Sequence, residues 1–483
     1  MNSPVESSFS FIKIRKKLKK PIYLQLVDEF IKGIQLGYLK NDYQLPGSRQ
    51  LASELKLNRN TIIKSLDELA MLGWIEIRPN KGTYIRKQIS KKEHLSFDDC
   101  NFGEISDYQI NSSHLYDYET KPDHLKIYLD DGKTDNRLVE RNLLFKTHQS
   151  ITKNNSHSDE LISKYFIQQF INYLKISRNL KVDESQIHFF SNREIALQTI
   201  TKIIQQPNKK FAVGQLNDFK TNLIFQSNNV ELNLIPTDQN GLLLNDIKKV
   251  IEKTSSIYIS SLHHYPTTAY FPQQNMNELL NIIRPHKISI IEENSNAQYY
   301  FTSRPINSIA STYPNSSLIH LSDFGQELTS SFNISFIIAS SNFIKECKKL
   351  TPIYDKKIDP FVLKSISYFL NEGEMLRIEK KHRKIYRERR EHIGNLLRKT
   401  FGEEITLFMP KVGLGLWIEW NIPLNLMKMK NDALEFGIYI PNYLLYQTKN
   451  KNAMRIGFGS LNEFEINEVV SVINKCVKKQ ESY

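Results

Sequence analysis

At 483 residues the chain is longer than one hydrophobic core usually organises, so two or three domains are expected. Its hydrophobic content of 40% suits a well-buried interior, and the absence of any run of about 18 uncharged apolar residues argues against a membrane-spanning helix. The formal charge of +13 is uneven: residues 1–90 hold 16 Lys and Arg against 8 Asp and Glu, and such a basic lobe points to a polyanionic partner.

Residues 1–10 are polar and include Glu6, and the cluster Lys13, Arg15, Lys16, Lys17, Lys19, Lys20 follows without an apolar leader or cleavage site. A cytoplasmic protein is expected. Ile22, Leu26, Phe30, Ile34 and Tyr38 recur every fourth residue and predict a helix over 21–38. A turn-rich stretch, 41–48, leads to Ser48, a natural N-cap for a second helix through 50–55. After a break at 56–58, a third helix is predicted from about residue 58. Its apolar face is Ile62, Leu66, Leu69 and Leu72, and it ends at Gly73.

Two short helices separated in this way form a helix-turn-helix, whose second member presents its first residues to base edges. Here those residues are Asn58, Arg59, Asn60, Thr61 and Lys64. Residues 74–78 then alternate as a strand, Pro79-Asn80-Lys81-Gly82 turns the chain, and 83–86 return as a second strand, giving a hairpin wing. Arginine can pair bidentately with guanine and asparagine with adenine, and a glycine at the wing tip lets the backbone come close to phosphate.

Four strings carry a family resemblance: Pro21-Ile22-Tyr23-Leu24-Gln25-Leu26, Leu45-Pro46-Gly47-Ser48-Arg49-Gln50-Leu51-Ala52, Asn58-Arg59-Asn60-Thr61 and Gly73-Trp74-Ile75. In this order they resemble the winged helix-turn-helix of the GntR superfamily. The resemblance implies that Arg49, Arg59 and Thr61 contact phosphate or bases, and that Lys81 and Gly82 in the wing lie along a minor groove. Residues 13–87 are therefore read as a DNA-binding domain. Residues 88–125 are polar without sustained periodicity and read as a linker.

From residue 126 to 483, short apolar strands (210–213, 257–259, 288–291) alternate with helical patterns (219–225, 277–283), which predicts an α/β domain on a mainly parallel sheet. Several strings fall in order. They are Gly132 with Asp135, a helix over 161–179 followed by a strand at 180–182, Ile235-Pro236-Thr237-Asp238-Gln239-Asn240-Gly241-Leu242, and His263-His264-Tyr265-Pro266-Thr267-Thr268. The segment 373–392, with Arg383, Tyr386, Arg389 and Arg390, and Met454-Arg455-Ile456-Gly457-Phe458 complete the series. Behind a GntR-like head, this order resembles the type I aminotransferase fold and, in particular, the effector domain of MocR-type regulators. The expected fold class is multidomain: an α+β winged helix-turn-helix followed by an α/β type I aminotransferase-like domain.

The resemblance implies a pyridoxal 5′-phosphate site, and its chemistry can be checked position by position. A lysine must form the Schiff base and a carboxylate must hold the ring nitrogen protonated; a helix start and an arginine hold the phosphate. The lysine position is Gln326, an amide that forms no imine, and the arginine position is Asn333. The phosphate turn reads Ser191-Asn192-Arg193-Glu194, with Glu194 an unfavourable charge. The carboxylate falls on Glu292-Glu293, with Glu293 the ring-facing candidate, and the ring-oxygen tyrosine position is Ser295. Arg455, the family's clamp for a substrate carboxylate, is intact, and either a structural ion pair or a ligand contact is open to it.

Covalent cofactor binding is not expected, and no cofactor and no catalytic residue are assigned. His263 and His264 lack a carboxylate at ligand spacing and read as packing residues rather than a metal site. Cys100, Cys347 and Cys476 are far apart and lack a CxxC spacing, so neither a disulfide framework nor a zinc site is expected. The sequence thus predicts a transcription regulator that binds double-stranded DNA as a homodimer. Its large domain would dimerise and bind a small carboxylate or amino-acid-like effector. A pyridoxal-phosphate-dependent aminotransferase, or a regulator sensing that cofactor through an unusual site, is the alternative.

Overall fold

The computed structural model describes residues 9, 11–15, 20–78, 82–86, 109–110, 120–153, 159–326, 328, 332–448 and 451–481. The chain divides into two compact units, Met1–Ser112 and Ser113–Tyr483.

In the first unit, α1 (Ile22–Gln35) packs on α3 (Arg59–Met71), with α2 (Ser48–Leu55) between them in sequence. Leu26, Phe30, Ile34, Leu51, Ile62, Leu66 and Leu69 join Ile75 and Ile85 in one core. α1 is shorter than its apolar stripe predicts: Gly37 takes φ +79° and ends it, leaving Tyr38 outside the helix and 61% exposed. Gly73, at φ +76°, likewise leaves Leu72 outside α3 and exposed rather than on its buried face. Ser48 is the first helical residue of α2 and Gly47 its N-cap, which corrects the expected cap. α3 is capped by Asn58, whose Oδ1 accepts the Asn60 N–H at 2.9 Å. The short β1 (Gln44–Leu45) joins β2 (Ile75–Arg78) and β3 (Gly82–Ile85) in an antiparallel sheet ordered β1-β3-β2. Pro79, Asn80 and Lys81 of the wing turn lie outside the described residues.

The second unit begins with β4 (Ile127–Tyr128), α4 (Arg141–Lys153), α5 (Asp159–Arg178), β5 (Ile187–Phe190), α6 (Arg193–Ile204), β6 (Lys210–Gly214), α7 (Phe219–Ser227) and β7 (Leu232–Ile235). After the hairpin of β8 (Thr237–Asp238) and β9 (Gly241–Leu242) come α8 (Leu244–Val250), β10 (Thr254–Ile259), α9 (Gln273–Ile283), β11 (Ser289–Glu293) and α10 (Ile309–Thr312). β12 (Leu318–Phe324), β13 (Ile334–Ile338), α11 (Ser341–Tyr354), α12 (Pro360–Asn371) and the long α13 (Glu374–Phe401) follow. A smaller lobe closes the chain with β14 (Ile405–Phe408), β15 (Gly415–Trp420), α14 (Leu426–Glu435), β16 (Ile438–Tyr439), β17 (Leu445–Gln447), β18 (Asn452–Gly457) and α15 (Glu463–Glu481).

Among the described residues, seven strands form one sheet in the order β5-β13-β12-β11-β10-β6-β7. It is parallel except for β13, which runs against both β12 and β5. Strands buried on both faces read as continuous apolar runs, as Ile257-Tyr258-Ile259 and Ile288-Ser289-Ile290-Ile291 do. No strand forms at 180–182; the chain enters the sheet later, at Ile187. The smaller lobe carries an antiparallel sheet, β14-β15-β18-β17. α13 braces this unit through its arginines. Arg383 donates to the Gln298 carbonyl at 3.1 Å, Arg389 to Asp135 at 2.8 Å and Arg390 to the Pro410 carbonyl at 2.9 Å.

Candidate functional site

The amino-terminal unit offers a candidate nucleic-acid interface at the start of α3. Asn58, Arg59, Asn60 and Lys64 are exposed there, Thr61 is half-buried, and Arg49 is exposed on α2. The apolar face of α3 anchors the helix, and the buried Ser65 Oγ donates to the Thr61 and Tyr23 carbonyls at 2.8 and 3.1 Å. The opposite face is thereby held rigidly outward. Arg59 Nε reaches Ser48 Oγ at 3.5 Å, which links the start of α3 to the start of α2. Gly82 sits at φ +111°, and a Cβ there would lie 2.7 Å from Gln44 Nε2, so glycine permits the close return of the wing onto β1.

In the second unit the candidate site gathers at the carboxyl ends of parallel strands, where open α/β sheets place their ligands. Glu293 ends β11, and Asp323 stands one residue before the end of β12. β5 leads into the turn that starts α6, and β6 into the turn that starts α7. Arg193, the first residue of α6, turns its guanidinium inward and is largely buried. Its Nη2 donates to Glu293 Oε2 at 2.9 Å and to Thr221 Oγ1 at 2.6 Å, and its Nε donates to Glu293 Oε1. Asp218, the N-cap of α7, lies 3.4 Å from Nη2. Glu293 also accepts from the Tyr258 hydroxyl at 2.7 Å and from Ser295 Oγ at 3.2 Å. Burial opposes the Arg193 charge, yet Glu293, Tyr258 and Asp218 hold its pKa well above the ordinary value.

Asp323 is buried and accepts from Ser335 Oγ at 2.7 Å and from Gln326 Nε2 at 3.2 Å. Burial pushes its carboxyl up, and Glu293 adds to the push. Asn333 is half-buried and places its Oδ1 in the interior. The two glutamates separate as β alternation requires. Glu292 points away from this cluster and accepts the Ile309 and Ala310 N–H groups at 2.7 and 2.9 Å, a structural cap on α10. Glu194 is exposed, so the charge that shapes this turn is Arg193 and not the expected Glu194. Arg193, Tyr258, Asp218 and Asp323 are not among the site residues the sequence predicts. An arginine at a helix start reads the same in sequence whether it faces solvent or the interior.

Arg455, on β18, is buried and lies against Gly415, where a Cβ would meet its Cζ at 2.7 Å. Nε donates to the Asp131 carbonyl at 2.9 Å and Nη1 to the Pro266 carbonyl at 2.7 Å, and the group stacks 4.9 Å from the Tyr265 ring centroid. Those bonds engage Nε and Nη1, and Nη2 packs against Gly415, where a Cβ would meet it at 2.7 Å. Burial pushes the Asp131 carboxyl up even though Arg455 draws it down. The Tyr265–Pro266 bond is cis. His264 is buried, and its Nε2–H donates to the Leu216 carbonyl at 2.8 Å; burial pushes it down to about 4, and His263 to about 3. Among the described residues, no group of three or more His, Cys, Asp and Glu side chains is placed to hold a metal ion, and no helix is long and apolar enough to cross a membrane.

Residues 22–85 match the family described as bacterial regulatory proteins, gntR family. The amino-terminal unit is a GntR-type winged helix-turn-helix. Beyond this GntR domain the chain has an aminotransferase-like fold. An archaeal alanine:glyoxylate aminotransferase aligns with a TM-score of 0.67 at 17% identity, covering 74% of this chain and 91% of that one. LysN, an α-aminoadipate aminotransferase from Thermus thermophilus, gives 0.66 at 15%, covering 74% and 93%. Relatives named as regulators match most of the chain. The "Uncharacterized HTH-type transcriptional regulator YdeL" of Bacillus subtilis (strain 168) is 20% identical over 96% of this chain and 98% of its own length. The "Probable rhizopine catabolism regulatory protein MocR" of Rhizobium meliloti is 20% identical over 82% and 81%. The chain thus joins a GntR domain to an aminotransferase-like unit, and the relatives that match most of it are named as regulators.

Proposed function

We propose that the protein is a sequence-specific DNA-binding transcription regulator whose aminotransferase-like unit carries out no transamination. The observation that carries this reading is the exposed first turn of α3, with Asn58, Arg59, Asn60 and Lys64 presented on a buried apolar anchor. Relatives named as transcription regulators support it by matching the chain nearly end to end. Gln326 supports the second half, because a carboxamide cannot form the imine on which transamination depends. The partner is double-stranded DNA, and a cytoplasmic location accords with that reading.

The second unit would dimerise, and paired heads then call for half-sites spaced by about a helical turn or a multiple of it. Arg455 is the candidate contact for a small carboxylate or amino-acid-like effector, because a guanidinium pairs well with a carboxylate. The domain limits follow the same reading: 13–87 binds DNA, 88–125 links, and 126–483 dimerises and senses.

Retardation of promoter fragments from the protein's own genomic neighbourhood, at low salt and with footprinting, tests the DNA half. Retardation and a symmetric footprint are expected, and failure to shift any fragment would overturn it. Thermal-shift screening with amino acids tests the effector half: stabilisation that vanishes in Arg455→Ala is expected, and stabilisation that survives removes Arg455 from the site.

A further inference from the structure

The phosphate turn and the ring-facing carboxylate are the two anchors that a pyridoxal phosphate site must hold apart, with the cofactor between them. Here one side chain spans them. Arg193 belongs to the turn, and its guanidinium lies on Glu293 through Nε and Nη2. Glu293 receives four donors on its two oxygens, two from Arg193 and one each from Tyr258 and Ser295. A carboxylate offers about four lone-pair sites. None is left for a protonated ring nitrogen.

The phosphate end fits no better. A phosphate ester carries about −1.5 to −2 charges at neutral pH. Buried Asp323 stands three residues before Gln326, Asp218 caps α7, and Asn333 contributes no charge. The positive charge of Arg193 is already engaged by Glu293 and Asp218.

We infer that Arg193 is a built-in occupant of the ancestral cofactor position, its guanidinium standing on Glu293 where a pyridine nitrogen would stand. The protein therefore holds pyridoxal phosphate neither covalently nor non-covalently. This rests on the aminotransferase-like fold of the second unit and is independent of DNA binding. It goes beyond the loss of the lysine, because a carboxamide at 326 alone would still permit loose, non-covalent retention.

The test uses 4′-deoxypyridoxine 5′-phosphate, which keeps the ring and phosphate but has no aldehyde for surface lysines to capture. Equilibrium dialysis of the full-length protein against this probe is expected to show no saturable retention by the wild type. Arg193→Ser, which opens the position, is expected to raise retention at least about tenfold, which corresponds to about 1.4 kcal/mol. Arg193→Ala, which also opens the position and keeps the Glu293 carboxylate, serves if the serine variant fails to fold. Saturable binding by the wild type overturns the inference, and so does a folded Arg193→Ser or Arg193→Ala variant that binds no better than wild type. Should neither variant fold, thermal unfolding of the wild type decides: a probe-induced rise overturns the inference, and an unchanged transition supports it.

Discussion

Gln326 donates from Nε2 to Asp323 Oδ2 at 3.2 Å, so its carboxamide is tied to a buried carboxylate three residues earlier. This bond decides what a lysine introduced there would do. An ammonium at 326 would meet Asp323 directly, and ion pairing would hold it protonated, the form that cannot attack an aldehyde. Gln326→Lys is expected to remain colourless when incubated with pyridoxal phosphate. Visible absorbance, followed by borohydride reduction and peptide mass analysis at residue 326, checks it. A reducible chromophore on that residue would contradict the prediction.

The Arg193–Glu293 pair should behave as a coupled, buried unit. Removing one partner from such a pair typically costs about 3–5 kcal/mol, because the other charge is left in the interior. Arg193→Met is therefore expected to lose stability on that scale. Arg193→Met/Glu293→Gln should recover part of it, with a coupling of about 0.5–3 kcal/mol. Urea unfolding of the wild type, Arg193→Met, Glu293→Gln and the double variant measures the coupling, and strictly additive losses would show that the pair is not energetically linked.

On DNA, Arg59→Ala should weaken binding to the cognate site by about 1–3 kcal/mol and relax base preference at one position of each half-site. Lys64→Ala should act more evenly across sequences and lower the salt slope by about one unit if the lysine meets phosphate. Titrations at several salt concentrations separate the two. Unchanged affinity of Arg59→Ala on every fragment would show that the start of α3 is not the reading surface.

Acid should destabilise the second unit through its buried imidazoles. His264 is held neutral by burial, with its folded value pushed down to about 4 from an ordinary 6.5. The unfolded chain therefore takes up a proton that the native state refuses. Stability contributed by this group is complete above about pH 6.5, falls as pH drops towards 4, and changes no further below it. The loss over that window is on the order of 3 kcal/mol, at 1.36 kcal/mol per pKa unit. His264→Gln should flatten the acid limb of stability against pH between 6.5 and 4, measured by chemical unfolding; an unaltered limb would mean that His264 is not the group responsible.

Periodicity and turn chemistry made most of the architecture legible in the sequence. The apolar spacing of Leu26, Phe30 and Ile34 marks α1, Gly73 stops α3, and the runs at 257–259 and 288–291 become parallel strands. These signals are local, since each depends on neighbours within a few residues. The same locality explains the errors. Ser48 reads as a cap for α2 but lies inside it, and Tyr38 and Leu72 continue an apolar period past the points where glycines end their helices. That the carboxamide at 326 forms no imine could also be read from one position, because a carboxamide lacks that chemistry in any fold.

What filled the site could not be read in this way. Arg193 and Glu293 are 100 residues apart, and only the sheet brings the end of β11 beside the start of α6. Glu292 and Glu293 are adjacent in sequence, yet the pleat sends one to cap α10 and the other to the guanidinium. Sequence set which chemical groups were available. Burial and long-range register decided which of them meet, because the energy of a charge depends on what the fold places around it.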